Sequence, residues 1–239
     1  MSKYLPDSKT KRIDIREMAT NYLGKMTFSD LKQIGQNMKM SFPNITDVSR
    51  KFTPKFMNGE IVKIYNGSEP TDPKNIIVSF NDPETIRGFY HVEKVQRETF
   101  KKNGTTFKSK FSPELWNLPE EDQDSNLPSQ LELSFKFSMI QDEADERHGK
   151  FLKCKFINED NEENEEITFQ DMDKNIELFS KVDIVSTMYG YLLSGNMGIT
   201  LKPMFVKVYP PEEDDEDLFS SNKHSGDELS GDQKKARYS

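Results

Sequence analysis

The run Gln130-Leu-Glu-Leu-Ser-Phe-Lys-Phe-Ser-Met-Ile140 alternates apolar and polar side chains with a period of two, and no other feature of the chain constrains the fold as much. Leu131, Leu133, Phe135 and Phe137 fall on one side, and Glu132, Ser134, Lys136 and Ser138 on the other. Such a segment is stable as a strand with one face in a core and one in water, the usual condition of an antiparallel sheet. Residues 60–65 and 75–80 carry further strand-like runs, and the turn formers Asn66-Gly67 and Asp72-Pro73 between them predict a hairpin with a long loop. Residues 150–157 are expected to pair with the 130–140 strand across the acidic connection 142–146. Residues 87–92 read as another short strand. Residues 199–209 read as the last one, with Pro203 marking an edge or a bulge. Residues 176–179 and 182–193 fit helix and strand equally by periodicity.

Helices are expected near the N-terminus. One runs over residues 14–23 and stops at Gly24; a second starts from Ser29 as N-cap, places Leu31, Ile34 and Met38 on one face and is closed by Pro43. Five to seven short strands with long loops and few helices predict a mainly β chain, a small antiparallel barrel or a sandwich with accessory helices. The expected organisation is an N-terminal helical or irregular segment over residues 1–58, a barrel over 59–210 and a disordered acidic tail over 211–239, where no residue pattern can form a core.

Composition then narrows function. Hydrophobic residues make up 33% and charged residues 31%, so one core forms only if much of the polar content lies in loops and tail. A lone cysteine, Cys154, makes no internal disulfide and lacks zinc-ligand spacing, which points to a reducing, intracellular compartment. Residues 1–16 show no apolar signal segment, and no stretch is long and apolar enough to span a bilayer, so no membrane partner is expected. The net charge is -8, yet it is segregated: residues 1–60 hold eleven Lys and Arg against six acids, and 93–111 are basic as well. Acid gathers at 120–124, 142–173 and 212–217, so an acidic chain can still present a basic face.

Catalytic constellations are not found. His91, His148 and His224 form no paired ligand spacing, and there is no phosphate loop or nucleophile elbow, so neither an enzyme, a metal nor a cofactor is expected. Carboxylates crowd into polar loops and read as solvated surface; a loop-carboxylate nuclease is the enzymatic alternative. The stretch from Lys94 to Phe111 interleaves Arg97, Lys101, Lys102, Lys108 and Lys110 with Phe100, Phe107 and Phe111 around Asn103-Gly104. Cations that follow phosphates and rings that stack on bases are the two requirements of a single-stranded nucleic-acid site. The same phenylalanines serve equally well as the core side of a hairpin, and both readings stand. Tyr189, Tyr191 and Lys202 form a second such set, whereas Phe205 reads as core and Trp116, in a turn bounded by prolines, as a core anchor. The block Asp214, Asp215, Glu216, Asp217, Leu218, Phe219 can imitate a phosphate backbone and dock on partner proteins through its aromatic end.

The segment Tyr189-Gly-Tyr-Leu-Leu-Ser-Gly195-Asn-Met-Gly198-Ile-Thr-Leu201-Lys-Pro-Met-Phe-Val206-Lys-Val-Tyr209, followed by acid and an aromatic, resembles the C-terminal part of replicative single-stranded DNA-binding proteins of short-tailed bacteriophages, large DNA viruses and related linear elements. The resemblance covers roughly residues 182–219 and implies an oligonucleotide-binding barrel closed by this last strand. It also implies a sequence-nonspecific protein that coats single-stranded DNA during replication and recombination, with replication proteins met through the tail and a second copy of the chain as a further partner. The alternative from another class is a viral structural or assembly protein, a β-sandwich whose aromatic strands make protein contacts.

Overall fold

A computed structural model describes residues 10–46, 51–65, 75–111, 114–137, 139–141, 150–152, 154–158 and 176–209. Five strands form its frame: β1 (Lys51–Tyr65), β2 (Asn75–Phe80), β3 (Leu131–Lys136), β4 (Lys181–Leu193) and β5 (Asn196–Tyr209). β1 pairs antiparallel with β2 and β2 with β3; β3 runs parallel to β5, β5 antiparallel to β4, and β4 returns antiparallel to β1. The ring therefore closes in the order 1-2-3-5-4-1. This is the connectivity of the five-stranded Greek-key barrel of the oligonucleotide-binding fold, and the chain is mainly β as its patterning predicts.

The pairings explain why the alternation in β3 is so clean. Leu131, Leu133, Phe135 and Phe137 are all at most 4% exposed, and Phe135 meets Phe56 edge-on at 5.4 Å and Phe80 at 6.4 Å. Fully burying one such ring stabilises the fold by about 1.5–3 kcal/mol. β1 must bend to serve both β2 and β4. It does so at Asn58 (φ +55), where its register against β4 slips between Val182 and Ile184 and the Asn58 N–H donates to Asp183 Oδ1 at 2.9 Å. Gly59 follows because a Cβ there would lie 2.4 Å from a Val78 methyl and 2.6 Å from the Phe80 ring. The β4–β5 connection is the two-residue turn Ser194-Gly195 with both φ values positive (+48° and +79°), the geometry whose twist suits a tight hairpin. Opposite Pro203 the ladder slips between Val185 and Ser186, so the expected bulge is present; β5 is not an edge, being paired on both sides.

Several elements differ from the sequence expectation. Residues 87–92 are not a strand but lie within α1 (Pro83–Lys102), a 20-residue helix with Asp82 as N-cap, accepting from the Thr85 N–H at 2.9 Å, and Pro83 in the first turn. Its buried positions include Ile86, Phe89, Glu93, Gln96 and Phe100, a helical spacing that two polar residues conceal. At the N-terminus the helix expected over 14–23 shrinks to the single 3-10 turn Ile15–Ala19. The second expected helix is a hairpin of the short strands Lys32–Gln33 and Met38–Ser41, the latter paired to the end of β4. The Gly35-Gln36-Asn37 segment supplies its turn, and Ile34, assigned to a buried helix face by spacing alone, is 59% exposed. β3 pairs chiefly with β2; beyond it Met139–Gln141 pairs with Lys150–Leu152, and Lys155–Asn158 continues along β5 in parallel. Trp116 anchors a buried turn at 9% exposure, and Cys154 is buried. Of the acidic stretch 142–173, residues 142–149, 153 and 159–173 lie outside the described residues, as does the tail 211–239.

Candidate nucleic-acid interface

α1 covers the core side of the β4–β5 hairpin. Gln96 Nε2 donates to the Gly198 carbonyl at 2.9 Å, and a Cβ at Gly190 would come within 2.5 Å of the same amide nitrogen, so Gly190 leaves room for it. Phe100 packs with Leu192 and Met197 on this side. Strand alternation then sends Tyr189, Tyr191 and Leu193 outward, and Thr200 and Lys202 with them on β5.

The outer face is where aromatic and cationic side chains converge. The Lys202 ammonium sits 5.5 Å from the centroid of the Tyr189 ring, and the Phe42 ring lies 6.4 Å from the same ring. Tyr191 lies flat across β5 at Gly198, where a Cβ would approach its Cζ and hydroxyl oxygen to 2.5 Å. Only glycine allows the ring to rest there. Register carries the face further: Met40 stands directly opposite Tyr191, Lys32 opposite Met40, and Met38 opposite Leu193. Phe42 and Leu193 are 42% and 45% exposed, and the two tyrosines are half-buried.

Two lysines of the 94–111 stretch arrive at this face from a distance. The short strand Lys108–Ser109 adds in parallel beside the start of β5, with the Lys108 N–H donating to the Gly195 carbonyl at 2.8 Å and the Lys110 N–H to the Met197 carbonyl at 3.0 Å. Ser109 turns inward to the Glu93 carboxyl of α1, so Lys108 and Lys110 turn outward, and both are exposed. On β3 the register that sets Phe135 opposite Leu201 places exposed Lys136 beside Lys202. Lys32, Lys108, Lys110, Lys136 and Lys202 thus share a face with Phe42, Tyr189 and Tyr191; Glu132, which with Lys110 lines a small pocket, is an acid at its edge.

The rest of the predicted set lies elsewhere. Phe100 has no exposed surface and packs edge-on against Phe107 at 6.0 Å, so the expectation that it stacks on bases is corrected: it is a core residue. Phe111 is partly buried against Phe89 at 5.2 Å, and Phe107 lies on the α1 side of the 107–110 segment, not on the outer face. Arg97 is sandwiched between Phe107 and Trp116, 5.6 Å from each ring. Lys101 and Lys102 are exposed in the last turn of α1, where Lys102 lines a cleft of about 600 Å³ between the helix, the 19–27 turn and the 115–127 segment. The tail residues Asp214 to Phe219 lie outside the described residues. Sequence reasoning missed Phe42, Met40, Lys32 and Lys136. Lys136 was visible in the polar register of β3, whereas the other three depend on a non-local pairing.

The electrostatics near the helix are dominated by one buried acid. Burial pushes the Glu93 carboxyl up to about 7, against the pull of the Ser109 hydroxyl, the Trp116 indole and the Arg97 charge. Burial, aided by the Lys94 charge, also lowers the His91 pKa. No cluster of His, Cys, Asp or Glu that could hold a metal ion occurs among the described residues, and no described helix is long and apolar enough to cross a membrane.

No family model matches the sequence, and none of the curated proteins matches it. Among solved structures, the chain is similar to the single-stranded DNA-binding protein of bacteriophage Enc34 in a C-terminally truncated form, at 13% identity and a TM-score of 0.41, over 77% of this chain and 97% of that one. The same phage protein in complex with single-stranded DNA gives 14% identity and a TM-score of 0.38 over 77% and 96%. The single-stranded DNA-binding protein gp2.5 of bacteriophage T7 gives 11% identity and a TM-score of 0.37 over 74% of this chain and 100% of that one.

Proposed function

We propose that this chain binds single-stranded DNA without sequence preference along the outer face of β4 and β5, and that it coats exposed strands during replication or recombination of a viral or plasmid-like genome. The observation that carries the reading is the convergence on one sheet face of Tyr189 beneath Lys202, Tyr191 laid flat on Gly198, and Lys108 and Lys110 delivered from another part of the chain. Rings held by a rigid sheet offer π-faces to any base, at about 1–3 kcal/mol per stacked base. Lysines spaced around them neutralise the backbone that links those bases. The mechanism is equilibrium binding, with no bond made or broken.

The test is a titration of fluorescently labelled oligo-dT at several salt concentrations. Each neutralised phosphate contributes about -0.7 to the slope of log K against log salt, so engagement of the five lysines gives about -3.5. Lys202→Ala should make the slope shallower by about 0.7, and Tyr189→Ala should weaken binding at all salt concentrations with little change of slope. Lys63→Ala, an exposed lysine on β1, serves as control. Loss of affinity that does not distinguish Lys202 from Lys63 would refute the placement of the interface.

A further inference from the structure

The segment that brings Lys108 and Lys110 to the outer face is fastened to α1 through one side chain. Ser109 Oγ contacts two oxygens, Glu93 Oε1 and, at 2.8 Å, the Phe111 carbonyl. A hydroxyl has a single hydrogen, a carbonyl oxygen only accepts, and an ionised carboxylate only accepts. With Glu93 ionised, the single Ser109 hydrogen is divided between two acceptors; each contact is a full two-centre hydrogen bond only when Glu93 carries a proton and donates it to Ser109 Oγ while the Ser109 hydroxyl donates to Phe111.

The surroundings agree with a neutral acid. Glu93 has no exposed surface, and neither its second oxygen, Oε2, nor the Trp116 Nε1 that acts on the carboxyl closes a hydrogen bond, so the indole opposes the effect of burial only weakly. Arg97, one turn further along the same helix, is the charge that acts on it; from the packed segments come only the Ser109 hydroxyl of 108–110 and the Trp116 indole of 115–117, both neutral. The Arg97 guanidinium is taken up between two rings, and no partner oxygen from Glu93 reaches it in a salt bridge among the described residues. Burial therefore dominates, and the carboxyl titrates at about 7.

We propose that Glu93 is a positioning residue held as a neutral acid, and that its ionisation loosens Lys110 from the outer face and weakens the grip on single-stranded nucleic acid. The proposal rests on the reading of that face as the interface. Its physical content is a switch of one hydrogen. Once the carboxyl is ionised, the Ser109 hydrogen turns to the stronger, charged acceptor. The Phe111 carbonyl then loses the bond that folds the chain back over Lys110, and a buried charge draws water in beneath the segment. Glu93 touches no nucleic acid; it acts through the strand it holds.

The experiment compares the full chain with Glu93→Gln, whose amide N–H donates to Ser109 Oγ as the protonated acid does, and with Ser109→Ala, which removes both bonds. Oligo-dT is titrated at several salt concentrations at about pH 6 and about pH 8.5. The parent chain should bind several-fold more weakly at the higher pH, with its salt slope shallower by about 0.7, the loss of one phosphate contact. Glu93→Gln should keep the pH 6 slope at both values, and Ser109→Ala should show the shallow slope at both. A parent chain whose slope and affinity do not respond to pH, or a Glu93→Gln variant that responds as the parent does, overturns the proposal. Hydrogen exchange at the Lys110 amide, measured without nucleic acid and corrected for intrinsic exchange, separates the two readings. Its protection should fall above pH 7 in the parent and not in Glu93→Gln; unchanged protection overturns the switch whether or not DNA binds. Absence of binding at either pH, with the exchange pattern intact, would instead remove the interface and, with it, the consequence for affinity.

Discussion

Glu93→Gln has a consequence for stability that is independent of any ligand. A carboxyl that titrates near its ordinary 4.5 when unfolded and at about 7 when folded holds its proton more tightly in the native state. Between those two values the folded chain binds more protons than the unfolded one, so stability must fall as pH rises. The stabilising contribution is fully present below 4.5 and is gone above about 7. The gap corresponds to about 3 kcal/mol at 1.36 kcal/mol per pH unit. Glutamine has the shape and the donor of the neutral acid and never ionises. At about pH 4.5 parent and variant should therefore be nearly equal, whereas at about pH 8.5 the variant should be the more stable by up to about 3 kcal/mol, less whatever water entry and Arg97 recover for the charge. Asp14 and Asp82 titrate in the opposite sense, because hydrogen bonds from Arg16 and Thr85 outweigh burial and hold both below the ordinary carboxylate range. Both are present in parent and variant and cancel in the difference. Urea unfolding followed by far-UV circular dichroism across this range, with m constant, gives the two profiles. Parallel profiles, or a variant less stable than the parent at the alkaline end, would show that Glu93 is ionised in the fold and that the reasoning is wrong.

Gly198→Ala should leave the global stability within about 1 kcal/mol, since the clashing atoms are the far end of a ring that can swing outward, but it should lift Tyr191 off β5. Oligo-dT affinity is then expected to fall at least about fivefold, the loss of roughly 1 kcal/mol of stacking, and an unchanged affinity with an unchanged melting temperature would exclude Tyr191 from the contact. Phe100→Ala removes a fully buried ring and should destabilise by about 3–5 kcal/mol. Under conditions where it is folded, its salt slope for oligo-dT should match the parent's, and a shallower slope would reopen its assignment to the core.

How much of this was legible in the sequence depends on whether the deciding contacts are local. β3, the β1–β2 hairpin and the bulge at Pro203 could be read directly, because a half-buried strand displays its two faces in its own residues. α1 could not be read, because Glu93 and Gln96 occupy core positions and break the apolar stripe, while the Phe89-Tyr90-His91-Val92 run imitates a strand. Its N-cap, Asp82-Pro83 with Thr85, was the available signal. In the opposite direction, Leu31, Ile34 and Met38 match a helical spacing by coincidence across a turn. The site divides in the same way. Tyr189, Tyr191 and Lys202 belong to one hairpin and could be grouped from the sequence, whereas the face taken by Lys108 and Lys110 and the proximity of Phe42 follow from pairings with distant strands.

The two glycines of the hairpin show why the proposed interface and the core are specified together. Gly190 and Gly198 lie near each other on adjacent strands, yet they make room on opposite sides of the sheet: Gly190 for Gln96 of α1 beneath, Gly198 for the Tyr191 ring above. A slip of β4 by one residue would exchange its faces, driving Tyr189 and Tyr191 toward the helix and Leu192 into water. Tyr191 is too large for the space that Gly190 leaves to an amide, and the Gln96 bond to the Gly198 carbonyl would be lost in the same step. The register that buries Leu192 and Met188 is thus the register that presents the tyrosines. Because α1 enforces it from below, the ring-bearing face is fixed before any ligand arrives, and binding need not supply the ordering of those side chains.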